Sequence, residues 1–207
     1  MMKRRKRTHR IPAWQDWLKS PELCEQSLRY FERQMQVRRL DQRQAKENVV
    51  GHMRKSFHNL SLANQIFENN QKGRLHLGYA GESFYDWVVT IGYYAMYQAC
   101  LAALSAVRKA SENHTATVCA LTYHYVHRRK RLNEQYLLSL DTIKNLADQD
   151  VRRLINRRLQ REKASYDTGL TTDLGLAQTT LTDAREFVLR IREILEEGLG
   201  KDFLKEV

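Results

Sequence analysis

The sequence predicts an all-α protein: an up-and-down helical bundle with an N-terminal helical extension. Only two prolines occur in the 207 residues, Pro12 and Pro21, so no residue with a fixed φ interrupts the backbone from Glu22 onward. Apolar residues recur at helical spacing through several long segments. Hydrophobic residues make up 42% of the chain and charged residues 29%, which is typical of a water-soluble domain with its own core.

The order of these features divides the chain into four parts. Ser20, Pro21 and Glu22 mark a helix start, with a capping hydroxyl, proline at the first helical position and an acid in the first turn. A second periodic run extends from Val49 to Phe67 and is followed by a glycine-containing loop. We therefore predict a basic tail (1–19), an N-terminal helical extension (20–47), a helical bundle (48–199) and a C-terminal tail (200–207).

The bundle itself should contain four further helices. From Ser83 to about Lys109 the chain is apolar almost all round, which predicts the central helix. The next helix begins after Asn113, and we expect Asp141 to cap the one that follows. The last helix should begin near Asp173. Its apolar stripe is either bundle core or the seam of a homodimer, and comprises Ala177, Leu181, Ala184, Val188, Ile191 and Leu195.

The positive charge points to a polyanionic partner. The net charge is +11, and the first segment carries cations without a single acid: Lys3, Arg4, Arg5, Lys6, Arg7 and Arg10. Such a tail favours nucleic acid through the release of counterions. The alternative is a solvated, disordered terminus that binds nothing.

Several classes of protein are disfavoured by what the sequence lacks. Its three cysteines are far apart, which suggests a reducing cytoplasm and neither a disulfide framework nor a thiolate metal site. We expect no secretory signal and no membrane span. Phosphate-binding loops and hydrolase motifs are absent, so we expect no cofactor. His124 and His127 lack a third ligand at useful spacing, so we expect two exposed histidines and no metal.

Two further basic clusters follow the central helix. One is Arg128, Arg129, Lys130 and Arg131, and the other lies along a late helix and comprises Arg152, Arg153, Arg157, Arg158, Arg161 and Lys163. Arginine at this density suits bidentate contact with phosphates. Alternatively, both clusters are the solvated outer face of a bundle. Tyrosines that could stack on bases also occur, but we expect Tyr93, Tyr94 and Tyr97 to be core residues of the central helix.

Several stretches together resemble the HEPN family of small helical nucleotide-binding domains. The resemblance covers about residues 48 to 197 and is carried, in chain order, by Arg54–Leu60, Tyr85–Trp87, Gly92–Ala99, Asn113–Thr117, Arg161–Asp167 and Ala184–Val188. The central stretch is similar to the family's tyrosine- and alanine-rich helix. The stretch that begins at Arg161 is similar to the R-x-x-A-D-Y signature of one branch of the family. This resemblance implies a bundle of HEPN type.

The resemblance also implies an activity. Many HEPN proteins are metal-independent ribonucleases with an R-x(4–6)-H motif, in which arginine stabilises the phosphate charge and histidine handles the proton of the attacking 2′-hydroxyl. In this chain Tyr166 stands five residues after Arg161, where that histidine is expected. A tyrosine with an ordinary pKa near 10 is a poor proton acceptor at neutral pH. Arg161 and Tyr166 are therefore the candidate catalytic pair, with the proton-transfer group altered.

Two functions remain open at this point. The first is an RNA-associated homodimer of toxin–antitoxin or defence type, with Arg161 and Tyr166 at the functional cleft. The second is a non-catalytic nucleic-acid- or nucleotide-binding subunit that partners a minimal nucleotidyltransferase. By analogy with family pairs in which the partner transfers AMP to a tyrosine, Tyr166 is the candidate acceptor.

Overall fold

The computed structural model describes residues 11–75, 83–161 and 173–205, and these residues form an all-α bundle, as predicted. The α-helices in this part of the chain are α1 (Trp14–Lys19), α2 (Pro21–Arg33), α3 (Gln42–Gln71), α4 (Tyr85–Ala106), α5 (His114–Leu121), α6 (Glu134–Arg161) and α7 (Leu174–Leu199). A π-helix continues α5, and a short 3₁₀ helix follows α7; they span Thr122–Arg128 and Lys201–Leu204.

The N-terminal extension begins earlier than the sequence predicted. Residues 14–19, which were assigned to the basic tail, form α1, and the side chain of Trp17 is completely buried. The indole Nε1 of Trp17 donates a hydrogen bond of 2.9 Å to the hydroxyl of Ser27 on α2. The predicted start of α2 is confirmed, because the Ser20 hydroxyl accepts from the backbone N–H of Leu23. The boundary of the tail at residue 19 is therefore wrong, since the aromatic residues before it are part of the core.

A small antiparallel sheet, which the sequence analysis missed, joins the extension to the bundle. Its strands are β1 (Val37–Arg39) and β2 (Lys109–Ser111), and Val37 lies opposite Ser111. Beyond the paired strands, the backbone of Leu40 bonds to that of Arg108, and the Arg108 guanidinium also donates to the Leu40 carbonyl. Because Arg108 adopts a left-handed conformation with φ 59°, the chain turns sharply between α4 and β2.

Helix α4 is the central helix, as predicted, and packs against α3, α6 and α7. Gly92 lets α7 approach closely, because a β-carbon at this position would lie 3.1 Å from Thr180 Cγ2. The hydroxyl of Ser56 on α3 donates to the backbone carbonyl of Ala95 at 2.8 Å. By length and composition alone α4 could cross a membrane, and 67% of its most apolar window is buried, as in the core helix of a soluble protein.

Two expectations about the later helices have different outcomes. Asp141 does not cap a helix, because α6 begins seven residues earlier, at Glu134, and Asp141 instead accepts from the Asn145 side chain. The start of α7 is confirmed, since Asp173 accepts from the backbone N–H of Leu176 at 2.7 Å. The apolar stripe of α7, from Ala177 to Leu195, is buried within the single chain. It is therefore bundle core and does not supply a free dimer seam.

Candidate nucleic-acid interface

The first basic cluster is positioned by the π-helix Thr122–Arg128. Its wider turn is closed by i to i+5 hydrogen bonds, among them the bond from the Arg129 N–H to the His124 carbonyl. Lys130 then adopts a left-handed conformation with φ 51°, which ends the helix before α6. Short π-helical segments are rare and are found frequently at functional sites. Here the segment delivers three consecutive cationic side chains to solvent.

These three side chains, Arg128, Arg129 and Lys130, are exposed, and we call them the basic end of the π-helix. The Arg128 guanidinium lies 5.9 Å from the centre of the Tyr123 ring, and that of Arg129 lies 5.5 Å from the centre of the Tyr125 ring. Both distances fall within the range of cation–π attraction. In the part of the chain that the structure describes, none of the three forms an ion pair with a carboxylate. Their charges are therefore available to an anionic ligand.

Arg131, the fourth cation of the predicted cluster, is arranged differently. Its guanidinium Nη1 lies 2.5 Å from Glu197 Oε2 on α7, and its backbone carbonyl accepts from Arg190 at 2.7 Å. Half-exposed ion pairs of this kind contribute only ~0–1 kcal/mol to stability. The pairing nevertheless offsets the positive charge of Arg131. The charge of the predicted cluster is thus concentrated on its first three members.

The two histidines of this segment are not the exposed pair that the sequence suggested. His124 is only 7% exposed, and neither of its ring nitrogens has a hydrogen-bond partner among the described residues. Burial, together with the nearby Arg129, Lys109 and Arg128, lowers its pKa to about 4 against the opposing effect of Glu32. His127 is half-buried, and its Nε2 donates to the Trp17 backbone carbonyl at 2.7 Å. Both imidazoles therefore contribute to packing.

Within residues 11–75, 83–161 and 173–205, no three His, Cys, Asp or Glu side chains lie close enough together to hold a metal ion. The cysteines Cys24, Cys100 and Cys119 are buried free thiols.

A second polar cluster lies where α4 meets α5. The Tyr93 hydroxyl is 3.1 Å from His114 Nδ1, and the Tyr97 ring stacks against the His114 ring with centres 6.0 Å apart. The Tyr97 hydroxyl also reaches Thr117, at 3.4 Å. The core prediction holds in part: Tyr93 and Tyr97 are half-buried, whereas the prediction for Tyr94 is wrong, since its side chain is 49% exposed.

The electrostatics of this cluster indicate a structural contact. Burial lowers the pKa of His114 to about 4, an effect that Lys144 strengthens and Asp148 opposes. Burial also raises the pKa of Tyr93, with smaller contributions from neighbouring groups that include Tyr97. At neutral pH the imidazole is therefore a weak base and the phenol a weak acid. The pair joins α4 to α5 through a hydrogen bond between neutral groups.

His114 is also the residue that sequence reasoning overlooked as a member of a motif. Arg108 precedes it with five residues between them, which fits the R-x(4–6)-H spacing of the family motif. A search of the whole chain for that spacing would have found the pair. In the structure, however, the Arg108 guanidinium bonds to Leu40, and the charged groups that act on His114 are Lys144 and Asp148. Arg108 and His114 therefore have the spacing of the family motif but share no described contact.

The predicted catalytic pair and part of the predicted RNA surface lie outside the described residues. The backbone of α6 is helical through Arg157, Arg158 and Arg161, but their side chains are not described, and neither are Tyr166 and the basic tail with Lys3, Arg4, Arg5, Lys6 and Arg7. At roughly 1.5 Å per residue, Arg161 lies about 20 Å further along α6 than Asp148. The backbone of Arg161 is therefore distant from the His114 cluster.

Comparisons with protein-family models, with curated proteins and with solved structures gave no match for this chain. The functional argument therefore depends on the residues of the chain itself.

Proposed function

We propose that this chain is an RNA-associated protein of HEPN type, and that it binds single-stranded RNA through the basic end of the π-helix. The observation that carries this proposal is the row of three exposed cations, Arg128, Arg129 and Lys130, without described carboxylate partners. Each phosphate contact by such a side chain releases condensed counterions, so RNA binding should be strong at low salt. The Tyr123 ring beneath Arg128 is partly exposed and adds a surface suited to a base, whereas the Tyr125 ring beneath Arg129 is buried.

The overall charge of the chain is in keeping with this proposal. A net charge of +11 attracts polyanions over distances longer than a direct contact. The basic tail and the arginines of α6, including Arg157 and Arg158, are further candidate RNA contacts in the sequence. We expect them to guide RNA toward the basic end of the π-helix.

The HEPN part of the proposal is supported by the position of the residues that carry the resemblance. The motif on α4 contributes Tyr93 and Tyr97, the motif at the start of α5 contributes His114, and these three side chains contact one another. Two stretches that were matched separately in the sequence are therefore one packed unit. Such convergence is expected when both motifs belong to the same fold.

Of the two functions that the sequence left open, we favour a binding subunit over a ribonuclease because of the environments of the described histidines. A general base at neutral pH needs a pKa near the working pH and access to the substrate. His124 meets neither requirement, the pKa of His114 is likewise lowered to about 4 by burial, and the accessible part of His127 is limited by its hydrogen bond to Trp17. We therefore propose a non-catalytic RNA-binding subunit. A minimal nucleotidyltransferase, in a toxin–antitoxin or defence system, is the proposed protein partner.

Salt titration of RNA binding tests this proposal. Replacing Arg128, Arg129 and Lys130 together with alanine should weaken binding to a fluorescent single-stranded RNA of any sequence. It should also reduce the slope of log affinity against log salt concentration by about 2, because each of the three lost phosphate contacts contributes ~0.7 to the slope. Fluorescence anisotropy at several salt concentrations measures both quantities.

A matched control separates a local interface from a general loss of charge. Arg43, Lys46 and Lys55 are exposed cations on α3, a helix that packs against α4 and α7. Their replacement with alanine changes the net charge equally. An equal reduction of the salt slope in both variants would contradict an interface at the π-helix.

The ribonuclease alternative has its own test at the predicted pair. If the chain cleaves RNA in the presence of a chelator, Arg161→Ala should lower the rate by ~100-fold or more, the scale of losing one charge-stabilising donor. If the parent protein is inactive, Tyr166→His restores the family pattern. Cleavage gained by that variant would replace the binding-subunit proposal with a ribonuclease that lacks its proton-transfer group.

A further inference from the structure

A pocket lies between the first turn of α2 and the π-helix, with a volume of about 340 Å³. Glu22 and Glu25 line one side, and the other side is formed by Tyr123, His127, Arg128 and Lys130. This volume is at the lower end of the range for small-molecule sites, roughly 300–1,000 Å³, so one nucleotide is a suitable size. The N-terminal extension, which lies outside the HEPN resemblance, thus supplies one wall of the pocket.

The acidic wall offers hydrogen-bond acceptors, and each carboxylate also has an exposed hydrogen bond to a nearby residue of the same segment. Glu25 Oε1 accepts from the Arg29 guanidinium at 2.7 Å, one turn further along α2. Glu22 Oε2 accepts from the Ser20 hydroxyl at 3.2 Å. Each of these bonds occupies one carboxylate oxygen. Because a carboxylate only accepts hydrogen bonds, this wall selects a ligand edge that consists of donors.

The opposite wall offers positive charge and an aromatic face. The Arg128 guanidinium lies over the Tyr123 ring, and Tyr123 packs edge-on against the buried His124 with ring centres 5.0 Å apart. The Tyr123 ring is therefore held by its contact with the buried His124 side chain. Lys130 and Arg128 place two cations on this side, as a phosphate group requires. A ligand that fits both walls carries an anion, a flat ring and a row of donors.

Among the RNA bases, guanine presents the edge that the acidic wall requires. Its ring N–H and its amino group are adjacent donors, which match a carboxylate. Adenine and cytosine place a ring acceptor beside their amino group, and uracil places carbonyl oxygens on both sides of its N–H. Those acceptors would face the oxygens of Glu22 and Glu25. RNA-binding proteins commonly read such edges in single strands while an aromatic or guanidinium plane stacks on the base.

We propose that this pocket binds one guanine nucleotide of single-stranded RNA, with the base edge at Glu22 and Glu25 and the phosphate at Arg128 and Lys130. The inference deepens the proposed RNA-binding function and depends on it. The basic end of the π-helix then supplies affinity that is independent of sequence, and the pocket adds a preference at a single position.

The test compares a short all-uridine RNA with RNAs of the same length that carry one central guanosine, adenosine or cytidine. The guanosine RNA should bind ~5- to 150-fold more tightly than the other three, which is the range for one well-matched base contact. Glu22→Gln with Glu25→Gln should abolish this preference while the all-uridine RNA still binds. Glu47→Gln, on the exposed surface of α3, is the matched control and should retain the preference.

The outcomes separate this pocket from the general function. Equal binding of all four RNAs, with no effect of the double substitution, would overturn the guanine pocket and leave RNA binding in place. Failure of every RNA to bind would refute the proposed function itself. Guanosine monophosphate serves as a competitor: if it alone binds as tightly as the guanosine RNA, the ligand is a free nucleotide and the RNA assignment is wrong. If the double variant fails to fold by circular dichroism, Glu22→Gln alone should reduce the preference, and an unchanged preference would refute the proposal.

Discussion

The buried imidazole of His124 makes the stability of the protein depend on pH. This side chain is 7% exposed and lies near Arg128, Arg129 and Lys109. Burial and these cations lower its pKa from 6.5 to about 4. In the unfolded chain the same imidazole takes up a proton near its ordinary pKa of about 6.5. The folded protein therefore binds fewer protons between these two values, and its stability must fall as the pH falls through this window.

The magnitude follows from the difference between the two pKa values. One pKa unit corresponds to ~1.4 kcal/mol, so a folded pKa of about 4 against 6.5 amounts to about 3 kcal/mol. Above about pH 6.5 the imidazole is neutral in both states, and the full stability is present. Below about pH 4 it is protonated in both states, and this group causes no further loss. A loss of this size is a large fraction of the ~5–15 kcal/mol that stabilises a typical domain.

The substitution His124→Phe removes the titrating group and retains an aromatic ring beside Tyr123. The free energy of unfolding, measured by urea denaturation from about pH 7 to about pH 4, should fall by about 3 kcal/mol more in the parent protein than in the variant. Other buried histidines, such as His114, affect both proteins equally and cancel in the difference. His58→Gln, at an exposed position of α3, is the control for loss of a histidine elsewhere. Parallel curves for the parent and His124→Phe would refute the reasoning.

Three further expectations concern packing and assembly. Gly51→Ala should raise the free energy of unfolding by ~0.5–1 kcal/mol, because the added β-carbon meets nothing within 4 Å. Gly92→Ala should give no gain, or should lower the free energy of unfolding by ~1–3 kcal/mol, because its β-carbon would press against Thr180. Chemical denaturation of both variants distinguishes these outcomes. Tyr93→Phe should cost ~1–3 kcal/mol by leaving a half-buried His114 nitrogen without its partner, and an unchanged midpoint of denaturation would contradict this. The homodimer expected from the sequence should give twice 24.5 kDa by light scattering, and a monomer would exclude it.

The helical class, the central helix and three of the helix starts could be predicted from the sequence alone. Caps such as Ser20 and Asp173 are local, because each side chain bonds a backbone N–H three residues away, and a short stretch of sequence contains both partners. The apolar character of α4 likewise follows from its own residues. The family resemblance came from local motifs as well. Composition and spacing do not show which residues such motifs contact.

Features that depend on distant partners became visible only in the folded chain. The β1–β2 pair joins residues about seventy positions apart, and three-residue strands carry no readable alternation. The stripe of α7 suited a bundle core and a dimer seam equally well, and its burial by the other helices selected the core. The lowered pKa of His124 also depends on distant residues, since Glu32 and Lys109, which act on it, come from other elements. Burial and charge environment are sums over the whole fold, so the pocket between α2 and the π-helix emerged only from the folded chain.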